Sequence, residues 1–174
     1  MPNHLHSIWC GIINRKWVRV GMLGYLTASQ PCSYDFLTMS YKFLDHTADL
    51  GIEVEANSLK ELFISTARAI FKIQIKGRVL KKEKLDFKIK SVSLEELLIE
   101  WCRELLYNFA VNGFIPAEYK IEINPDYGLK AKLTGDIFDK KRHQIKLEVK
   151  NATYHNLNLK KTNRHYRATI IFDV

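Results

Sequence analysis

The stretch GIEVEANSLKELFISTARAIF (Gly51–Phe71) changes period in its middle. Over Gly51–Ala56, Ile52, Val54 and Ala56 alternate with Glu53 and Glu55, the period of a strand with one buried face. From Ser58 onward, Leu59, Leu62, Phe63, Ala67, Ile70 and Phe71 recur at helical spacing and form one apolar stripe. Ser58 with Glu61 three residues on predicts a reciprocal capping box at the helix start. Gly77 stands just beyond the stripe. A half-buried strand feeding an amphipathic helix means that sheet and helix share one core.

The same signals recur outward from this stretch. Ser93 and Glu96 repeat the capping box, and Leu94, Leu97, Leu98, Trp101, Leu105 and Phe109 form a second stripe. Asn112-Gly113 predicts its end, since glycine readily takes the left-handed conformation of a helix C-cap. Strands are predicted at Tyr41–Leu44, Val79–Lys90, Phe114–Ile123, Leu129–Ile137, Ile145–Thr153 and Arg167–Val174. The turn Asn124-Pro125-Asp126-Tyr127-Gly128 joins two of them as a hairpin, so the pairing is expected to be mostly antiparallel. The expected fold class is α+β, a mostly antiparallel sheet packed against two amphipathic helices.

Length and composition agree. A chain of 174 residues, 47% apolar and 26% charged, holds one ordinary domain and is neither disordered nor fibrous. No apolar run of about 18 residues occurs, which excludes a membrane-spanning helix. The net charge of +8 and pI near 9.3 are compatible with a nucleic acid or an acidic partner, but the lysines are spread along the chain. Cys10, Cys32 and Cys102 are odd in number and widely spaced, without a CxxC pair, so a reducing, cytoplasmic compartment is expected.

Residues 1–38 do not match the rest. They carry two of the three cysteines, two of the three tryptophans and one acidic residue, Asp35, with no helical stripe and no strand alternation. A charged start followed by an uninterrupted apolar stretch, as in a secretory signal, is missing; the scarcity of acids is compatible with a transit peptide, but Arg and Ser are not abundant. The segment is read as a non-native or disordered N-terminal extension to a domain over 39–174. His4 and His6 form an HxH pair, but nothing later in the chain recognisably completes a metal site around them.

The densest polar cluster is Asp45-His46-Thr47-Ala48-Asp49, between two predicted strands. Two carboxylates and an imidazole suit either a hard divalent cation such as Ca²⁺ or Mg²⁺, or a turn whose Asp and Thr side chains bond local amides. The sequence closes on Ile170-Ile171-Phe172-Asp173-Val174. If this last strand lies beside the first, Asp173 and the carboxylate of Val174 join Asp49 in one oxygen-rich site. Otherwise Asp173 merely solubilises a strand end. Asp136, Asp139 and His143 read as an exposed hairpin end, and Tyr154, His155, His165 and Tyr166 among basic residues carry only a faint nucleic-acid signature. GxSxG, GxxxxGK[ST], HExxH and GxGxxG are all missing, which argues against an autonomous enzyme.

Four segments stand in the order and approximate spacing of a known family: FLDHTADLGIE (Phe43–Glu53), SLEELLIEWCRELLYNF (Ser93–Phe109), FDKKRHQIKLEVKNATYH (Phe138–His155) and IIFDV (Ile170–Val174). On these, residues 41–174 resemble an archease. The resemblance implies a protein cofactor of the RtcB-type RNA ligase, which seals tRNA halves after intron removal and repairs broken RNA. Such a cofactor promotes guanylation of the ligase and sustains multiple turnover, with no catalytic residues of its own. The resemblance also implies a divalent-cation site, usually calcium with Mg²⁺ or Mn²⁺ as alternatives, mapping to Asp49, Asp173 and Val174. Asp45 and His46 match the same motif and are assigned to orienting the loop or touching the partner's active site. His143, Lys150 and His155 match family positions without an implied role. The implied partner is the ligase, with tRNA at most indirectly involved and no membrane. The rival reading is an RNA-binding or chaperone-like module that delivers or protects tRNA. The leader departs from the family pattern, and the chain is more basic than the pattern leads one to expect, which leaves direct RNA contact open.

Overall fold

The two apolar stripes become helices α1 (Leu59–Gln74) and α2 (Leu94–Asn112), and the caps set their ends. Ser58 Oγ accepts from the amide of Glu61 at 3.2 Å, and Ser93 Oγ from that of Glu96 at 3.1 Å. The expected glutamate half of the box differs: the Glu96 carboxylate accepts from the Val92 amide at 2.9 Å, one residue before the cap. Gly113 ends α2 in the left-handed conformation (φ 67°, ψ 17°), its amide donating to Phe109 O at 2.8 Å. α1 ends without glycine, at Ile75, which turns straight into extended backbone.

The computed structural model describes residues 40–45, 49–163 and 165–174; the predicted extension over 1–38 lies outside them. Around the helices run nine strands among the described residues: β1 (Ser40–Asp45), β2 (Asp49–Ala56), β3 (Ile75–Gly77), β4 (Glu83–Lys90), β5 (Phe114–Ile123), β6 (Gly128–Ile137), β7 (His143–Ile145), β8 (Asn151–Lys161) and β9 (Tyr166–Asp173). They form a four-stranded sheet in the order β1-β2-β9-β8, a three-stranded sheet β4-β6-β5 and a two-stranded ribbon β3-β7. Every pairing is antiparallel, as the α+β reading expects.

Both helices touch both larger sheets, α1 through β2 and β5, α2 through β8, β4 and β5. The core lies between them. Trp101 on α2 is fully buried, stacked at tilted angles on Phe63 of α1 and Phe87 of β4, with its indole N–H donating to Phe63 O at 2.9 Å. The buried indole thus keeps a partner for its one donor while filling the space between three elements.

Two predicted strands change. Val79–Lys90 is a strand only from Glu83, because the stretch before it is tied down by side chains described below. Ile145–Thr153 is not one strand. Its alternation is real, with Leu147 half-buried and Val149 buried between exposed neighbours, yet 147–150 lie outside any ladder. This extended link crosses from one sheet to the other, held at its ends by the amides of Lys146 on Gln74 O (2.7 Å) and Lys150 on Asp173 O (2.9 Å). The strand itself, β8, starts at Asn151 and continues to Lys161. A wide bulge interrupts it: Thr153 pairs with Ile171 and Asn158 with Thr169, with Asn156 at φ 51° in between. The bulge breaks the period of two, which is why the sequence hid this strand.

Candidate functional site

β2 begins at Asp49 itself, and β1 runs to Asp45, so the two acids of the DHTAD cluster sit at strand ends rather than in a loop. His46 lies outside the described residues, and for Asp45 only the backbone is described, paired with Leu50. The last strand lies beside the second strand, not the first: β9 pairs with β2 along its whole length. In that register Asp49 is the direct partner of Asp173.

Register fixes which face each side chain takes. In β9, Ala168, Ile170 and Phe172 are buried; in β2, Ile52, Val54 and Ala56 are. Asp173 and Asp49 fall on the opposite face, half-buried beside the buried Gly51–Ile171 pair, because side chains alternate along a strand. Facing residues of an antiparallel pair have Cβ atoms about 5 Å apart, and like charges so placed repel. Among the described residues, neither carboxylate has a lysine or arginine within ion-pair distance.

On the other side of β9, Asn151 of β8 is also the register partner of Asp173. Asp49, Asp173 and Asn151 therefore stand in one row across three adjacent strands. Val174, half-buried against the core, continues β9, and its main-chain oxygen accepts from Lys150 Nζ at 3.0 Å. Asn151 was not singled out by the sequence, and the Lys150 contact was not foreseen. Only the strand order β2-β9-β8 reveals them, and no local pattern encodes that order. Two carboxylates and an amide oxygen are hard donors of the kind that Ca²⁺ or Mg²⁺ takes. Among the described residues no three His, Cys, Asp or Glu side chains converge as a metal site, so a cation here would need a main-chain carboxylate or the Asn151 amide as a further ligand.

The Asp136, Asp139 and His143 group is not an exposed hairpin end. Asp136 and His143 are each only 4% exposed. The Asp136 carboxylate accepts from the amides of Leu80 and Ile137, both at 3.0 Å, and is paired with the Arg142 guanidinium. That guanidinium, helped by the two amides, holds the Asp136 carboxyl at about 2 against the pull of burial in the other direction. His143 Nδ1 accepts from the Asp139 amide at 3.1 Å, so in this arrangement Nε2 carries the proton and donates to Arg78 O at 3.0 Å. With both ring nitrogens on main-chain groups and no exposed side chain, His143 has no route to a substrate proton. The group is a clasp that pins 78–80 to the end of β6, and it is the reason Val79–Lys90 starts late as a strand. Close packing completes it: Gly77 adopts φ +136°, and a Cβ there would lie 2.2 Å from Arg142 O.

His155 is exposed in the β8 bulge, its Nε2 3.0 Å from Asn156 Nδ2. Cys102 is fully buried, and burial pushes its thiol well above the ordinary range, which removes it as a nucleophile. No helix among the described residues is long and apolar enough to cross a membrane.

Comparison with known proteins gives a consistent picture. The model of the Archease protein family (MTH1598/TM1083) matches residues 41–174. The "Protein archease" of Methanosarcina acetivorans is 32% identical over 139 residues, covering 77% of this chain and 95% of that protein. That of Archaeoglobus fulgidus is 32% identical over 140 residues, covering 78% of this chain and all of that one. The solution structure of Methanobacterium thermoautotrophicum protein 1598 superposes with a TM-score of 0.65 at 28% identity, over 77% of this chain and 98% of that one. A Thermotoga maritima crystal structure, described as an archease and "possible chaperone", shares the fold at a TM-score of 0.56 and 21% identity, over 76% of this chain and 96% of that one.

Proposed function

Since the chain belongs to the archease family, we propose that it is a non-catalytic protein cofactor of an RtcB-type RNA ligase, acting in the cytoplasm in tRNA splicing and RNA repair. It promotes guanylation of the ligase and restores it for repeated turnover. A divalent cation, calcium in the first instance, is held by Asp49, by Asp173 and by the carboxylate that Val174 carries when it ends the chain. The observation that supports this reading most is the register of β2 and β9, in which Asp49 and Asp173 are direct partners and, among the described residues, neither has a neutralising side chain.

The mechanism follows from charge and position. When bound, the cation supplies the positive charge that lets two facing carboxylates share a site. Asp49 and Asp173 hold it by their oxygens, and strand pairing keeps both side chains in place. Asp45, at the neighbouring strand end, and His46, next to it in sequence, are the side chains assigned to the partner. The cofactor drives the ligase toward its guanylation-competent state only by the difference in its affinity for the ligase's two states.

The test is multiple-turnover ligation by a purified ligase with wild-type protein and with Asp49→Ala. Wild-type protein is expected to stimulate turnover and the variant to stimulate little. Equal stimulation by the two removes the cation site from the mechanism. No stimulation by the wild type removes the cofactor reading itself.

A further inference from the structure

We infer that the outer face of the three-stranded sheet β4-β6-β5 is a docking surface for the phosphate backbone of an RNA strand. The inner face of this sheet is apolar, formed by Leu85, Phe87 and Ile89 of β4, Leu129, Ala131 and Leu133 of β6, and Tyr119 and Ile121 of β5. The alternate residues point outward. They are Lys84, Asp86, Lys88 and Lys90 on β4, Lys130, Lys132 and Thr134 on β6, and Glu118, Lys120 and Glu122 on β5. Six lysines thus share one face with three carboxylates.

The register brings like charges together within this face. Lys88 is the direct partner of Lys130, and Lys120 of Lys132, while Asp86 stands opposite Lys132 and Glu122 opposite Lys130 without closing an ion pair among the described residues. Facing like charges destabilise an antiparallel pair. Two of the face's charges are spent on side pairs outside it, Glu118 with Lys81 and Lys90 with Asp126. The other five lysines, 84, 88, 120, 130 and 132, make no ion pair among the described residues. Lys120, Glu122, Lys130 and Lys132 enclose a shallow depression of about 260 Å³. A face that keeps five lysines outside any ion pair among the described residues has positive charge to offer a polyanion that settles on it.

The face selects among polyanions. It carries no aromatic and no large apolar residue, so it has neither the anchors of a protein interface nor platforms on which bases stack. Lysine is depleted at protein interfaces but serves as a point charge for phosphate. The occupant is therefore a backbone read without regard to sequence. The choice of RNA over DNA rests on the proposed function; the charge argument does not, and the experiment needs no ligase.

Fluorescence anisotropy of a labelled 20-nucleotide oligouridylate, followed across a salt series, tests this. Five free lysines predict a slope of log affinity against log salt of about −3 to −4, at about 0.7 per phosphate neutralised on a single strand. Lys130→Glu/Lys132→Glu should weaken binding at least tenfold at low salt and flatten the slope by about 1 to 2. Lys60→Glu/Lys76→Glu, with the same net charge but off this face, should bind as the wild type does. Thermal melting of both variants should match or exceed that of the wild type, since only exposed side chains change. Three results overturn the inference: no salt-dependent binding by the wild type, an equal loss in the two variants, or tighter binding of a poly-glutamate peptide than of the RNA.

Discussion

Replacing Asp173 by Asn should make the metal-free protein more stable and at the same time abolish its stabilisation by calcium. Asp49 and Asp173 face each other across β2 and β9. At about 5 Å, two unit charges repel by about 0.8 kcal/mol with the permittivity of water and about 3 kcal/mol at an effective value of 20. Both residues are only half-buried, which places the repulsion near the lower figure, about 1 kcal/mol. For a domain of this size that is a rise in Tm of about 3 °C in EDTA at low salt. The wild type, in contrast, should gain about 2.7 kcal/mol when calcium is present at a hundred times its Kd, which is about 8 °C. The order of the two melting curves therefore reverses between EDTA and calcium. Circular dichroism melts in both conditions provide the check, and raising the salt should shrink the first effect more than the second. A variant less stable than the wild type in EDTA, or one that keeps the calcium shift, refutes the reasoning.

Two predictions concern the clasp. The Asp136 carboxyl is held at about 2, below the roughly 3.9 of an unfolded chain, so its contribution is complete above pH 4 and is lost as pH falls through 2. The stability gap between wild type and Asp136→Asn, followed in urea melts from pH 7 downward, should hold to about pH 4 and narrow between 4 and 2; a gap that stays constant over that window denies the assigned cause. Gly77→Ala sets a Cβ 2.2 Å from Arg142 O at a backbone angle that side chains rarely take. It should cost about 2–4 kcal/mol in chemical denaturation, and a loss under 1 kcal/mol would show that the β3-β7 ribbon yields easily.

Much of the architecture is legible in the chain itself. Capping serines at 58 and 93, the two stripes and Gly113 placed both helices, because those signals are local and each has a direct physical cause. β5 and β6 were equally plain, since a turn rich in Asn, Pro, Asp and Gly separates two clean alternations. The β3-β7 ribbon was not, because three residues carry no period. β8 is hidden because the alternation of Leu147 and Val149 belongs to a link, whereas the bulge at Asn156 disrupts the pattern of the real strand. For the candidate site, the residue types in the DHTAD cluster and the IIFDV tail were informative. Their facing each other depends on sheet order, which is a property of the whole domain. His143 misled for the complementary reason: in sequence it stands amid charges, and only packing shows its ring to be sealed.

The pairing of β2 with β9 has a consequence for how the protein is made. β2 is among the earliest described elements to leave the ribosome and β9 is the last, and joining them closes a loop that spans nearly the whole domain. Until that moment β2 has an open edge, the kind of exposed ladder that invites wrong association in a nascent polypeptide. The two facing aspartates come together only when this closure is complete. A partner that recognises them as a pair is in effect inspecting a finished molecule, and every chain interrupted before its final strand fails that inspection.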